Sequence, residues 1–327
     1  MKFAILGLGG IAVKMAETVI RMDDIELYAV ASRDAEKAKT FAQKYNVKKA
    51  YGSYDEMLKD DQIDLVYIAL PHSHHCEWSK AAINAGRNVL CEKAFSVSEA
   101  EAREMIELAE KKNVFITEAI WTRYMPSRQI IKDLLDKNTI GKIVSISANL
   151  GYRIDTHDRI INPELAGGAL LDLTIYPLNF ASMVHGDDIK AIHASCMMTG
   201  TGVDGQDNVM ISYSDGCMAS LFTTIYGLSN RMGLIVGTDG FIEVENINNP
   251  QEIRVYSADR SNPELLRRIK VPEQISGYEY EVLACKAAIE NGKLECPEMP
   301  HSETLEIMRQ TDIIRKQFNI KYPFEKE

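Results

Sequence analysis

The stretch from Phe3 to Ala12, FAILGLGGIA, constrains the fold more than any other part of the chain. Phe3, Ala4, Ile5 and Leu6 are apolar without alternation, as expected of a strand buried on both faces of a parallel sheet. Gly7-Leu8-Gly9-Gly10-Ile11-Ala12 follows at once, and an amphipathic segment begins behind it. In that context the pattern G-x-G-x-x-A signifies a dinucleotide site rather than a plain glycine turn. Gly7 permits the tight turn, and Gly9, lacking a Cβ, lets the backbone close on a pyrophosphate. Gly10 and Ile11 complete the phosphate loop, and Ala12 is small enough for the helix to pack on the strand. The phosphates would then meet free N–H groups at the positive end of the helix.

A chain of 327 residues is long for one core and suits two domains. Its net charge of −10 argues against a nucleic-acid surface, because phosphates call for clustered Lys and Arg. No apolar run approaches the roughly 20 residues of a membrane helix. Met1-Lys2 and the apolar run behind it superficially resemble a secretory signal. Gly7, Gly9 and Gly10 interrupt that run, and Lys14 and Glu17 follow closely, so a cytoplasmic protein is expected. The six cysteines show no C-x-x-C and no ligand-like spacing, which fits buried, reduced thiols.

Strand and helix patterns alternate through residues 1–119, the signature of a doubly wound sheet. A second strand, Glu26–Ala31, ends in Ser32-Arg33-Asp34, where an adenosine ribose belongs. Ser32 and Arg33, a hydroxyl and a guanidinium fork, suit a 2′-phosphate and favour NADP. Asp34 would instead bind ribose hydroxyls and support NAD, or merely cap the next helix. A third strand, Asp64–Leu70, leads into Pro71-His72-Ser73-His74-His75-Cys76. Zinc is one reading of that run. Its place past a strand end, with no second ligand cluster, favours the cofactor crevice for Pro71, His72 and His75 and no metal. His75 would also open the next helix. A fourth strand, Asn88–Cys91, delivers Glu92 and Lys93 to the same edge of the sheet, and Ser96-Val97-Ser98-Glu99 reads as a capping box. Glu92 suits support of the loop better than reaction.

From residue 120 to the end the pattern changes to short strands joined by turns such as Ser214-Asp215-Gly216, the mark of an antiparallel sheet in an α+β domain. An apolar helix is expected from about Ala169 to Met183. Within it Asp172 and Tyr176 stand at i and i+4, on one helical face. A buried carboxylate needs a partner, and a helix N-terminal hydrogen bond at Gly167-Gly168 is the plain structural explanation.

GLGGIA, then ASR, PHSHH and CEKAFS at these intervals resemble the Gfo/Idh/MocA oxidoreductases over essentially the whole chain. AIWTRYMP (119–126) and AGGALLDLTIYP (166–177) are similar to the branch holding dimeric dihydrodiol dehydrogenases and NADP-dependent sugar dehydrogenases. The resemblance implies a Rossmann domain followed by an open, mainly antiparallel sheet whose free face mediates a homodimer or higher homo-oligomer. It also implies hydride transfer between NADP and a secondary alcohol or carbonyl of a small sugar, polyol or cyclic diol. The family pattern G-G-G-x-x-x-D-x-x-x-H departs here, with Tyr176 where His is commonest, as in the dihydrodiol branch. Family members usually read Glu-Lys-Pro with a proline that often takes a cis bond. Ala94 replaces it, so a trans Lys93–Ala94 bond is expected.

On this reading Tyr176 is the acid/base group. A free phenol, with a reference pKa of about 10, is a poor base near neutrality. Lys93 would stabilise its phenolate and bind the reacting oxygen. Asp172 would hold a second substrate hydroxyl or orient Lys93. Trp121, Arg123 and Tyr124 would line the pocket mouth, unless Trp121 only packs between domains. Two alternatives remain: an NAD-linked inositol-type dehydrogenase, and a non-catalytic NAD(P)-binding regulator.

Overall fold

Phe3, Ala4, Ile5 and Leu6 have no solvent exposure in a computed structural model that describes residues 1–325. They belong to β1 (Lys2–Leu6), flanked on both sides by parallel strands. The chain continues through α1 (Gly10–Val19), β2 (Glu26–Ala31), α2 (Ala35–Tyr45), β3 (Lys49–Tyr51) and α3 (Tyr54–Leu58). It then runs through β4 (Leu65–Ile68), α4 (His75–Asn84), β5 (Asn88–Glu92), α5 (Glu99–Lys112) and β6 (Ile116–Ala119). The sheet order is β3-β2-β1-β4-β5-β6, all parallel. The order reverses between β1 and β4, which opens the crevice beyond their carboxyl ends where such sheets bind ligands. The short, largely exposed β3 lacks the apolar run that identifies the other five strands.

The capping box of α5 lies two residues further on than expected. Ser98 is the N-cap and accepts the Glu101 N–H at 3.3 Å, while Glu101 reaches back to the Val97 N–H. Ser96 instead donates to the Ser98 carbonyl. Both S-x-x-E registers are present in the sequence, and the path of the preceding loop selects the second.

The rest of the chain holds α6 (Pro126–Asp136), β7 (Ile143–Gly151), α7 (Asp158–Ile161), a π turn (Leu170–Thr174) and α8 (Ile175–His185). Seven strands follow: β8 (Ile189–Met198), β9 (Asp204–Tyr213), β10 (Met218–Thr224), β11 (Gly233–Gly237), β12 (Gly240–Val244), β13 (Glu252–Ser257) and β14 (Leu265–Lys270). Helices α9 (Glu279–Glu290) and α10 (His301–Phe318) come last. The eight-stranded sheet has the order β14-β13-β12-β11-β7-β10-β9-β8 and is antiparallel except where β10 meets β7. Alternation along β9 is plain: Val209, Ile211 and Tyr213 are buried, while Asn208 and Met210 are exposed. The buried side packs under α8, and Met210 and Met218 project from the other.

Two compact units result. The first is Met1–Tyr124 with Gln274–Met308, and the second is Met125–Glu273 with the stretch from Arg309. The first unit therefore takes back α9, which a single boundary near residue 119 does not convey. All six cysteines are unpaired, five of them buried.

Candidate active site

Gly7 adopts φ +96°, and its N–H donates to the Ala31 carbonyl at 3.0 Å. A Cβ there would lie 2.6 Å from the Ala69 carbonyl oxygen, so glycine is required by both conformation and space. Gly9 is the N-cap of α1 and supplies no side-chain cap, and a Cβ on Gly9 or Gly10 would meet nothing within 4 Å. The first N–H groups of a helix have no intrahelical partner. Here they face open space, half-buried Ile11 beside them, so the loop fits a pyrophosphate. Ala12 is fully buried against the sheet.

At the end of β2, Ser32 is buried, and its Oγ accepts the Asp34 N–H at 3.1 Å. Asp34 caps α2, with Oδ1 accepting from the N–H groups of Glu36 and Lys37 at 3.0 and 3.1 Å. Its carboxylate is thus engaged with the helix. Arg33 is exposed, and its charge opposes the rise that burial imposes on the Tyr54 phenol. An exposed guanidinium beside a committed carboxylate suits a phosphate at this position.

The loops after β4 and β5 are bound together by His75. Its ring is fully buried, with Nδ1 2.8 Å from the Ala94 carbonyl oxygen and Nε2 2.8 Å from that of Leu70. Both ring nitrogens are therefore engaged with backbone, which gives His75 a scaffolding part. His72 packs edge-on against it at 5.7 Å, just after Pro71. The Lys93–Ala94 bond is cis, correcting the expected trans bond. The loop's path is set by partners distant in sequence. Ala94 offers its carbonyl to His75, the Phe95 N–H donates to Glu118 at 3.1 Å, and the Lys93 N–H donates to Glu92 at 3.2 Å. Glu92 also accepts the Tyr67 hydroxyl, so it supports the loop from beneath. Glu118, on β6, is fully buried, and its Oε2 receives no donor. Burial raises its pKa to about 7, against the Phe95 N–H and the Arg123 charge.

Trp121 stacks on Tyr278 with ring centroids 4.3 Å apart. Arg123 and Tyr124, expected at a pocket mouth, have partners inside the first unit. Buried Arg123 pairs with Glu303, and the Tyr124 hydroxyl donates to the Glu118 carbonyl at 2.7 Å. Two polar side chains closing off the end of β6 account for their burial.

In the second unit, Asp172 lies in the π turn and Tyr176 at the start of α8. The π turn ends at Thr174 and the α-helix begins at Ile175, so a π-to-α junction, not one regular α-helix, separates the two. Both side chains are buried. Asp172 accepts from Arg159 Nη1 at 2.8 Å and Nη2 at 3.5 Å, while half of the Arg159 side chain stays exposed. The helix end is capped not at Gly167-Gly168 but by Asp204 on β9, whose Oδ2 accepts the Leu170 N–H at 2.5 Å. Asp207 accepts the Thr174 hydroxyl at 2.7 Å.

Arg159, Glu118, Asp204 and Asp207 were not legible as site residues. Asp207 shares its parity with buried Val209, Ile211 and Tyr213, a signal that an acid faces the core. Nothing local marks Arg159. Among the described residues no group of three or more His, Cys, Asp or Glu side chains is placed to hold a metal ion.

The model described as "Oxidoreductase family, NAD-binding Rossmann fold" matches residues 1–119, and the GFO/IDH/MocA C-terminal domain matches residues 129–243. The trans-1,2-dihydrobenzene-1,2-diol dehydrogenase of Xenopus laevis is 34% identical over 310 residues, covering 92% of each chain. The D-xylose 1-dehydrogenase (NADP(+)) of Hypocrea jecorina is 32% identical over 370 residues, covering 99% of this chain and 93% of its own. A 3-ketoreductase from Actinomadura kijaniata, solved with NADP and TDP-benzene, superposes with a TM-score of 0.88 at 22% identity over 97% of each chain, which establishes the shared fold.

Proposed function

The chain belongs to the Gfo/Idh/MocA oxidoreductase family, and from that membership we propose that it transfers hydride between NADP and a secondary alcohol or carbonyl of a sugar, polyol or cyclic diol. The observation that carries this reading is the buried Asp172, its charge held by Arg159, one turn ahead of buried Tyr176. A protein that only sensed the cofactor would have no use for an ionisable set of this kind. The relatives' dihydrodiol and xylose substrates support a small polyhydroxylated molecule.

When bound, NADP supplies or accepts the hydride. The N–H groups of Gly10 and Ile11 would hold the pyrophosphate, and Arg33 the 2′-phosphate. Pro71 and His72 would line the crevice for the cofactor, while His75 and Glu92 keep the loop of Lys93 in place. Lys93 binds the reacting oxygen, and Tyr176 moves its proton. Asp172, oriented by Arg159, receives a neighbouring hydroxyl of the substrate. Trp121, supported by Tyr278, offers a flat apolar wall suited to a sugar or ring face.

We place self-association on the uncovered face of the eight-stranded sheet, where Met210 and Met218 are exposed, and the protein in the cytoplasm. No helix among the described residues is long and apolar enough to cross a membrane. The deciding experiment is a panel of sugars, polyols and diols, assayed with NADP and NAD by absorbance of the reduced nicotinamide. Turnover confined to NADP and polyhydroxylated substrates is expected. Tight NADP binding with no turnover across the panel would identify a regulator instead.

A further inference from the structure

Asp204 and Asp207 are both fully buried on β9, yet among the described residues neither has a salt bridge to a cation of the kind that Arg159 gives Asp172. They hold opposite ends of the π turn. Asp204 accepts the N–H groups of Ala169 and Leu170 at its beginning, and Asp207 accepts the Thr174 hydroxyl at its end. Thr174 in turn meets the Thr223 hydroxyl of β10 at 2.5 Å. The approach at Gly168, φ +118°, is close enough that a Cβ there would lie 2.3 Å from Asp204 Oδ1. The two carboxyl groups lie within hydrogen-bonding reach of each other. One oxygen on each, Asp204 Oδ1 and Asp207 Oδ1, receives no donor from any described residue. Carboxylates carry no proton to share, so a bond between two of them requires one to be a carboxylic acid.

We propose that Asp204 and Asp207 share a single proton and act as a positioning pair, gripping the π turn that carries Asp172 and starts the helix of Tyr176. One proton satisfies both orphan oxygens and removes one of two buried charges. The charge rests on Asp204, which accepts backbone N–H groups at a helix start, and the proton on Asp207. Among the described residues Cys196 and Tyr322 also face the pair, and burial with the two carboxyls raises both. We assign neither carboxyl a contact with substrate or cofactor. Their effect on turnover passes through the placement of Asp172 and Tyr176, and so rests on the oxidoreductase reading.

The experiment compares Asp207→Asn with Asp204→Asn in the full chain. Asparagine at 207 keeps an acceptor for Thr174 and replaces the shared proton with an amide N–H, so kcat should stay near the wild-type value. Asparagine at 204 turns part of an acceptor-only group into a donor against helix N–H groups. It should lower kcat by about 10- to 100-fold, the scale of a displaced reacting group, with NADP affinity unchanged. Infrared difference spectra of wild type against Asp207→Asn near neutral pH should show the carbonyl stretch of a protonated carboxyl lost in the variant. Absence of that band overturns the shared proton whether or not any substrate is turned over. Equal kcat in all three proteins, per cofactor-binding subunit, overturns the positioning role even if both variants melt earlier. Failure of wild type on every substrate defeats the functional reading alone, since the spectrum still decides the pair.

Discussion

Asp172 and Arg159, 13 residues apart, meet at 2.8 Å, a buried carboxylate against a half-exposed guanidinium. The pair couples the π turn to α7. Arg159→Met should destabilise the second unit by roughly 1–2 kcal/mol, less than for a fully buried pair because Arg159 is partly solvated. Combined with Asp172→Asn, the two losses should fall short of additivity by a similar amount. A double-mutant cycle by urea unfolding measures this, and additivity within about 0.5 kcal/mol would show no coupling.

Cofactor choice rests on Arg33 and Asp34 having different tasks. Arg33→Ala should weaken NADP by about 1.5–3 kcal/mol, the range for charge-assisted hydrogen bonds, and barely change NAD. Asp34→Ala should cost about 1 kcal/mol of stability through the lost helix cap, with little effect on NADP. Titration of reduced-cofactor fluorescence gives both dissociation constants, and equal losses for the two cofactors in Arg33→Ala would contradict the assignment.

The chemistry is tested at Tyr176 and Lys93. Tyr176→Phe keeps the ring and removes the exchangeable proton, so turnover should fall about 10²–10⁴-fold with NADP affinity retained. Lys93→Met should act similarly. The double variant should lose far less than the product of the singles, because the two work as a unit. The ionisation that governs wild-type turnover should disappear from the pH profile of Tyr176→Phe. An active, unchanged Tyr176→Phe enzyme would remove it from the mechanism.

Glu118 gives stability a pH dependence of defined sign. Its pKa is raised from 4.5 to about 7 by burial, so the folded chain holds a proton that the unfolded chain has lost between those values. Stability is therefore lost as pH rises through that window, by about 3 kcal/mol in all. Glu118→Gln keeps an acceptor for the Phe95 N–H and removes the titration. The stability of the variant relative to wild type should climb from about pH 4.5 to 7 and then level off. Urea unfolding across that range checks it, and a constant difference would show that Glu118 does not titrate there.

Self-association through the open sheet face predicts that Met210→Asp with Met218→Asp shifts the protein toward monomer while leaving each subunit folded. Sedimentation velocity distinguishes this from an unchanged assembly, which would place the interface elsewhere.

What sequence alone determined here is what short-range pattern can encode. Unalternating apolar runs such as Phe3–Leu6 and Val89–Cys91 can be buried only on both faces, so a parallel sheet follows, with Gly7–Ala12 and Lys93 at its carboxyl edge. Alternation along residues 207–213 likewise specifies a sheet with one covered face. Tertiary structure decided the features that join distant segments. In β9 the register shifts where Met197 and Met198 face Gln206 and Asp204, leaving Gly205 as an extra residue. That bulge brings Asp204 and Asp207 to one side, although strict alternation would place residues three apart on opposite faces. The pairing of Arg159 with Asp172 and the π turn beneath Tyr176 have the same origin. Each satisfies buried polar groups whose partners lie on other elements, and such partnerships have no local period to read.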